Sequence, residues 1–261
     1  MSSSDFVVLD KVTVRYGNGE GAVHALDAAS LSFERGDFIC IVGPSGCGKT
    51  TLMQTLAGFL KPSSGTVSVA GSPVTGPSPD RGVVFQQPAL FPWMNVEANA
   101  GFGPMVRGVA KAERKKIVEQ WLRLVGLWDF RNRYPYELSG GMQQRLAIVR
   151  ALCNDPKLLL MDEPFGALDA LTREKMQEEL HAVWRRGETT VVFITHSVEE
   201  AVYLGTLVVV MSPRPGRIIE RIPCPFARQQ GERDIRAIKS SSEFVAMREE
   251  ILSMIWRLPH A

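Results

Sequence analysis

Short apolar runs separated by polar turns dominate the first third of the chain. The alternating segments FVVLDKVTVRY (6–16) and LSFERGDFICIVG (31–43) predict strands, and GTVSVAGSPV (65–74) predicts a further strand with a turn. Two later runs, KLLLMD (157–162) and TTVVFITH (189–196), are almost continuously apolar. That pattern is typical of parallel strands that are covered on both faces.

Segments with helical spacing lie between these strands. The apolar positions of 50–60, 112–127 and 173–186 recur every three or four residues, which predicts amphipathic helices. The residues expected to face the core are Leu52, Leu56 and Phe59 in the first helix and Ile117, Trp121 and Leu124 in the second. Strands that alternate with helices predict an α/β fold, here with a mostly helical insertion at about 96–128.

Composition and charge restrict the class of protein. Hydrophobic residues make up 45% and charged residues 22% of the 261 residues, as in an ordinary globular protein, and the net charge of +2 gives no reason to expect a nucleic-acid partner. The apolar run at 204–211 has the length of a buried strand, and the N-terminal segment MSSSDFVVLD does not resemble a signal peptide. The four cysteines (Cys40, Cys47, Cys153 and Cys224) lack metal-binding spacing. We therefore expect a cytoplasmic protein with free thiols.

The segment GPSGCGKT (43–50) fits the phosphate-binding pattern G-x-x-x-x-G-K-[ST], and it follows a strand and opens a helix. Backbone N–H groups in such a loop surround phosphate oxygens, the lysine contacts the β and γ phosphates, and the threonine contacts Mg²⁺. A plain glycine-rich turn is the alternative, but it gives no packing reason for Lys49 and Thr50. The candidate nucleotide-binding residues here are Gly43, Pro44, Ser45, Gly46, Cys47, Gly48, Lys49, Thr50 and Thr51.

Two carboxylates end the apolar strand in LLLMDEP (158–164). Asp162 stands where α/β sheets bind ligands and can hold Mg²⁺ through its water shell. Glu163 points elsewhere and can polarise an attacking water. An acidic surface turn is the alternative for the pair alone.

A second candidate anion site lies in YELSGGMQQR (136–145), where Ser139, Gly140 and Gly141 come at a predicted helix start. Exposed N–H groups at the positive end of a helix attract anions. A simple N-capped helix describes the same geometry without a ligand.

The phosphate-binding loop, LSGGMQQR, LLLMDEP and ITH occur in that order, and together they resemble the ATPase subunit of ABC transporters over essentially the whole chain. The resemblance implies an α/β P-loop NTPase (RecA-like) core with an N-terminal antiparallel β subdomain and an inserted helical subdomain. It implies a catalytic core at 1–86 and 139–212, a helical subdomain at 87–138 with the signature motif at its end, and a tail at 213–261.

The same resemblance implies ATP and Mg²⁺ as ligands, and it suggests roles for residues outside the loop. Tyr16 would stack on adenine, Gln86 would contact Mg²⁺ and the attacking water, and His196 would hold the γ-phosphate. Asp169 would link the two sites of a head-to-tail homodimer, in which residues 139–141 bind the partner's ATP. The implied catalytic residues are Lys49, Gln86, Glu163 and His196, and the implied metal ligands are Thr50, Gln86 and Asp162.

The resemblance also implies partners. A free-standing ATPase would work with two membrane permease subunits, contacted near Leu90, Phe91 and Trp93, and indirectly with a solute-binding protein outside the membrane. It would then lie on the cytoplasmic face of the plasma membrane as a peripheral protein. Core packing within the subdomain is the alternative for these three apolar side chains.

Three stretches resemble one importer branch, which takes up nitrate, sulfonates and taurine. They are VTGPSPDRGVVFQ (74–86), DEPFGALDALTREKMQEEL (162–180) and the tail at 226–256. The tail resembles that of taurine importers and predicts an amphipathic helix with Phe244, Met247, Ile251 and Ile255 on one face and a capping box formed by Ser240 and Glu243. The resemblance therefore implies uptake of taurine or another sulfonate.

Four alternatives stay open at this point. They are a nitrate or other nitrogen-compound importer of the same branch, a non-transport ABC ATPase of the cytosol, a regulatory ATP-binding module without turnover, and an exporter of lipids or drugs.

Overall fold

A computed structural model describes residues 5–17, 19–166, 168–186, 189–229 and 235–258. Ala167 in the segment FGALD and residues 230–234 of the tail, which carried part of the branch resemblance, lie outside this description. The chain forms two compact units, one from residues 1–78 and 190–261 and the other from residues 79–189. These two units are defined by packing within the chain. The predicted division into a catalytic core, a helical subdomain and a tail has different boundaries and stays a prediction.

In chain order, the α-helices and strands are β1 (Asp5–Tyr16), β2 (Val23–Glu34), β3 (Phe38–Val42), α1 (Lys49–Ala57), β4 (Ser64–Val69), β5 (Ser72–Pro73), β6 (Arg81–Val84), α2 (Val96–Val106), α3 (Lys111–Leu124), α4 (Gly140–Leu152), β7 (Leu158–Asp162), α5 (Ala170–Arg186), β8 (Thr190–Ile194), α6 (Val198–Leu204), β9 (Leu207–Met211), β10 (Ile218–Pro223), α7 (Phe226–Gln229), α8 (Ile235–Lys239) and α9 (Ser242–Trp256).

The first unit contains both antiparallel and parallel strand pairs. Strands β2, β1, β4 and β5 form an antiparallel sheet in that order. Strand β3 pairs in parallel with β8 on one side and with β9 on the other, while β10 runs antiparallel to β9. Every residue of β8 is buried, which confirms the prediction from its uninterrupted apolar run. Strand β3, which lies in a segment with an alternating pattern, is buried along its whole length as well.

The second unit places its helices around a short parallel pair. Strands β6 and β7 pair in parallel, and β7 is buried along its whole length. Helix α2 packs against both α3 and α4. The predicted helical insertion is therefore present as α2 and α3.

The first predicted helix is shorter than its apolar spacing suggested. Helix α1 ends at Ala57, because Gly58 adopts a left-handed conformation with φ of 83° and turns the chain away. The amides of Gly58 and Phe59 then donate to the carbonyls of Thr55 and Gln54 and close the helix end. The prediction that Phe59 faces the core was wrong, since 50% of this residue is exposed.

The buried face of α3 is also shifted from the predicted one. Val118 and Leu122 are buried, whereas Ile117 and Trp121 are only half-buried and Leu124 is 39% exposed. Both α2 and α4 contact α3, so two neighbours choose which side of a wide apolar stripe is covered.

The tail ends in the predicted amphipathic helix, α9, with Phe244 and Ile251 buried. Its N-cap is Ser241, whose hydroxyl oxygen accepts from the Phe244 amide at 3.3 Å. The prediction that Ser240 caps the helix was wrong, because the Ser240 amide still donates to the Arg236 carbonyl in the last turn of α8. Among the described residues, no helix combines the length and the apolarity that a membrane crossing requires.

The turn after α1 provides a test of this packing. A Cβ on Gly58 would lie 2.3 Å from the Gly76 carbonyl oxygen, whereas a Cβ on Gly71, at a similar φ of 74°, meets nothing within 4 Å. We expect Gly71→Ala to lower the free energy of unfolding by about 1 kcal/mol through backbone strain alone, and Gly58→Ala to lower it by at least about 1 kcal/mol more. Denaturant unfolding of both variants measures the difference. Equal losses would show that the close approach to Gly76 costs nothing.

Candidate active site

The phosphate-binding loop occupies residues 43–48, between the end of β3 and the start of α1. Three other segments of the first unit surround it so closely that side chains have no room. A Cβ on Gly48, which has φ of 98°, would lie 2.8 Å from the Ala25 carbonyl oxygen. A Cβ on Gly216 would lie 2.0 Å from the Cys47 carbonyl oxygen. The loop's shape therefore depends on contacts far away in sequence.

Lys49 points into the concave side of this loop. Its residue surface is only 8% exposed, and its Nζ donates to the carbonyl oxygens of Gly43 at 2.9 Å and Pro44 at 3.0 Å. A buried ammonium surrounded by a loop's backbone, with Thr50 exposed in the next position, is a donor set that fits a nucleotide's phosphates. The residues present therefore fit the ligand that the motif predicts.

Tyr16 lies next to the helix that follows this loop. It ends β1, is partly exposed, and its phenol oxygen lies 3.3 Å from the hydroxyl oxygen of Thr51 in the first turn of α1. The structure thus brings together two residues that the sequence places 35 positions apart. The ring is available for stacking, as the resemblance implies for adenine.

His196 follows β8 and is exposed, while both of its neighbours are fixed. The Thr195 hydroxyl donates to the buried Glu200 carboxylate at 2.5 Å and accepts from the Ser197 amide at 3.0 Å. The Ser197 hydroxyl in turn accepts from the Glu200 amide and caps α6. These bonds fix the backbone on both sides of His196.

In the second unit, β7 delivers the two carboxylates. Asp162 is its last residue and is buried, and Glu163 follows with φ of 45°, a left-handed conformation that costs a non-glycine residue roughly 1 kcal/mol. The side-chain nitrogen Nε2 of Gln86 donates to the Glu163 carboxylate at 3.1 Å. The structure therefore brings two predicted catalytic residues, 77 positions apart, into contact.

The signature segment begins α4. The Ser139 hydroxyl oxygen accepts from the Met142 amide at 3.3 Å, which makes Ser139 the N-cap. A Cβ on Gly140 would meet nothing within 4 Å, whereas a Cβ on Gly141 would lie 3.1 Å from the Leu168 side chain. The capped-helix interpretation is thus confirmed, and Gly140 leaves open space in front of the first turn.

Asp169 stands directly before α5, and its carboxylate accepts from the Thr172 amide at 3.0 Å. Hydrogen bonds from the Thr172 hydroxyl and amide hold the pKa of Asp169 below its ordinary value. Asp169 therefore caps α5. That it links the two nucleotide sites of a dimer stays a prediction.

The apolar residues after Gln86 divide into two kinds. The Phe91 ring packs against Phe102, with ring centroids 4.7 Å apart, and Phe91 is half-buried. Trp93 is 70% exposed, although its ring lies 5.6 Å from that of Phe91. Of the predicted partner-contacting residues, Trp93 presents the largest apolar surface, and Leu90 is half-buried.

Sequence reasoning missed several residues that shape these positions. Gly216 touches the phosphate-binding loop, and the Thr195–Glu200 pair flanks His196. Only the turn sequence PRPGR hinted at a special glycine, because a contact between distant segments leaves no local pattern. Among the described residues, no three His, Cys, Asp or Glu side chains gather into a metal cluster.

The thiol of Cys47 in the loop gives a test. Cys47 is 1% exposed, and burial raises the pKa of its thiol above the ordinary value, although the nearby Lys49 ammonium opposes the shift. Because the thiolate is the reactive form, we expect N-ethylmaleimide to modify Cys47 slowly at pH 7 and faster as the pH passes 9. Mass spectrometry of timed samples, with Cys47→Ser as the control, measures this. Rapid modification at pH 7 would contradict the burial.

Comparisons with known proteins agree with this arrangement. Residues 26–166, more than half of the chain, match the family model described as ABC transporter. The chain is 52% identical over 234 residues to the taurine import ATP-binding protein TauB of Roseobacter denitrificans, covering 90% of this chain and 87% of that protein. It is 50% identical over 236 residues to the TauB protein of Pelagibacter ubique, covering 90% and 89%.

A solved structure is similar as well. The ATP-binding cassette MJ0796, described as a dimer in a post-hydrolysis state bound to ADP and Pi, superposes with a TM-score of 0.75. It is 32% identical in sequence, and the match covers 83% of this chain and 98% of that chain. The predicted α/β P-loop NTPase fold is thus confirmed. The chain belongs to the ABC transporter family.

Proposed function

We propose that this chain is the ATP-hydrolysing subunit of an importer for taurine or another sulfonate. Family membership carries the ATPase, and the two relatives named as taurine import ATP-binding proteins support the solute. The observation that carries hydrolysis, as opposed to nucleotide binding alone, is Glu163, held in a left-handed conformation with its carboxylate bonded to Gln86.

Binding of ATP is proposed to begin at the phosphate-binding loop. Loop amides and the Lys49 ammonium would contact the β and γ phosphates, and Tyr16 would stack on the adenine. Mg²⁺, held by Thr50 and Asp162 with Gln86 near its water shell, would neutralise charge on the phosphates. The burial of Lys49 supports this proposal, because a desolvated ammonium interacts more strongly with an anion than one in water.

Hydrolysis is proposed to use Glu163 as the group that orients and polarises water. The water oxygen attacks the γ-phosphorus, the bond to the bridging oxygen of ADP breaks, and a water proton passes towards the carboxylate. Lys49 and His196 would stabilise the charge on the transferred group. The fixed backbone around His196 supports that role, since preorganised groups need no rearrangement during the reaction.

A head-to-tail homodimer is proposed to complete each site. Ser139, Gly140 and Gly141 would bind the γ-phosphate of ATP on the partner, and Asp169 would lie at the interface. The open space in front of Gly140 and the positive end of α4 support this proposal. Loss of the γ-phosphate would then reopen the dimer.

Coupling to transport is proposed to involve two permease subunits, with Trp93 as the main apolar contact and Leu90 and Phe91 beside it. The exposed Trp93 ring supports this, since a large exposed aromatic side chain suits a protein interface. The chain would thus lie at the cytoplasmic face of the membrane, and a solute-binding protein would reach it only through the permease.

Replacing the proposed water-orienting residue tests hydrolysis. We expect Glu163→Gln to lower the ATPase rate at least about a hundredfold while leaving ATP binding intact, because the amide cannot accept the proton. With ATP the variant should therefore accumulate as a dimer. Phosphate release and size-exclusion chromatography measure the two effects, and Glu113→Gln on the exposed surface of α3 is the matched control. Equal hydrolysis by wild type and Glu163→Gln would remove Glu163 from this role.

Uptake by the source organism tests the solute. Deleting the gene for this chain should abolish uptake of labelled taurine and leave uptake of sulfate and nitrate unchanged. Expression of the wild-type chain should restore taurine uptake, whereas the Lys49→Ala variant should not. An alkanesulfonate is the fourth solute, because a general sulfonate importer would lose both. Unchanged taurine uptake with nitrate uptake lost would keep the importer ATPase and replace the substrate.

A further inference from the structure

Helix α4 holds the segment around Gln86 at two points. Near the start of the helix, the buried Gln144 donates through its amide nitrogen to the Phe85 carbonyl oxygen at 3.4 Å. Near its end, Nη1 of Arg150 donates to the Ala89 carbonyl oxygen at 2.6 Å. Gln86 lies between these anchors, so the helix that begins with the signature segment also fixes the residue that contacts Glu163.

Arg150 is the stronger of the two anchors. Its guanidinium lies 5.2 Å from the centre of the Phe91 ring, in a cation–π contact, while the same group donates to Ala89. Arg150 is half-buried, and this burial lowers the pKa of its guanidinium. A planar guanidinium can donate and stack at once, whereas a lysine ammonium is a point charge, so the site selects arginine.

The far end of the same segment is fixed from α2. The fully buried Asn99 accepts from the Phe91 amide at 2.9 Å and donates to the carbonyls of Phe91 at 3.1 Å and Met94 at 2.8 Å. These bonds tie residues 91–94 to the second unit's core. We call residues 85–94 the braced span. Arg150 contacts its middle, and the exposed Trp93 lies near its end.

We infer that Arg150, assisted by Gln144, is a positioning residue that holds Gln86 against Glu163 and links the braced span to the signature helix. A shift of α4 changes the position of Ala89 through a single short hydrogen bond, and Gln86 lies three residues before it. The reverse path runs from Trp93 through Phe91 to Arg150. This inference rests on the proposed function, which assigns Gln86 and Glu163 to hydrolysis.

Kinetics of the full chain test the positioning role. We expect Arg150→Met to lower kcat for ATP hydrolysis about tenfold with KM for ATP nearly unchanged, because misplacing a positioned group affects the chemical step. Arg150→Lys should recover part of the loss. Arg145→Met is the matched control, since Nη1 of Arg145 donates from the same helix to the Val125 carbonyl oxygen at 2.7 Å, outside the braced span. Equal losses in Arg145→Met and Arg150→Met would overturn the inference.

A double-mutant cycle with Gln86→Ala separates positioning from general destabilisation. If Arg150 acts through Gln86, then Arg150→Met adds little to the loss already caused by Gln86→Ala. Arg145→Met should multiply with Gln86→Ala, as independent sites do. Multiplicative losses for Arg150→Met would show that it acts elsewhere.

Hydrogen exchange tests the inference without relying on hydrolysis. Arg150→Met should increase amide exchange in peptides that cover residues 85–94, while Arg145→Met should not, and the strands of the first unit should be unchanged in both. A wild-type chain that fails to hydrolyse ATP would defeat the proposed function but leave this measurement decisive for the brace. Unaltered exchange at 85–94 in Arg150→Met would overturn the brace.

Discussion

The buried ammonium of Lys49 is the constraint on which the first unit depends. A charge taken out of water is costly unless polar groups surround it, and here the carbonyls of Gly43 and Pro44 do so. The loop that presents these carbonyls is tightly packed, because a Cβ on Gly48 would lie 2.8 Å from the Ala25 carbonyl oxygen and a Cβ on Gly216 would lie 2.0 Å from the Cys47 carbonyl oxygen. The parallel pairings of β3 with β8 and β9 position the strand end from which this loop begins.

In the second unit, the corresponding constraint is the left-handed conformation of Glu163. Glu163, the residue proposed to orient water, directly follows a buried strand in a left-handed conformation that costs local strain. The surrounding packing has to keep that strain in place. Helix α4 contributes by holding the segment of Gln86 through Gln144 and Arg150. The same helix therefore begins at the capping residue Ser139 and supports Gln86, the hydrogen-bond partner of Glu163.

Two residues with a proposed part in ligand binding also have a structural role. Ser139 caps α4 and Asp169 caps α5, so neither position is explained by ligand binding alone. A capped helix start leaves further N–H groups unsatisfied, and these are what an anion would meet. The solute is a different matter, because an ATPase subunit has no contact with it, and the branch resemblance and the named relatives carry that part of the proposal.

The sequence by itself determined which apolar runs form strands, the phosphate-binding loop, the acidic strand end and the capped signature helix, because each is a local pattern of residue types. It did not determine where α1 ends, which face of α3 is buried, or which serine caps α9, since Gly58, the neighbours of α3 and the last turn of α8 decide these. Gln86 against Glu163, Tyr16 beside Thr51 and Arg150 on Ala89 join residues many positions apart. Such contacts leave no periodic signal in the chain, and only the tertiary structure decides them.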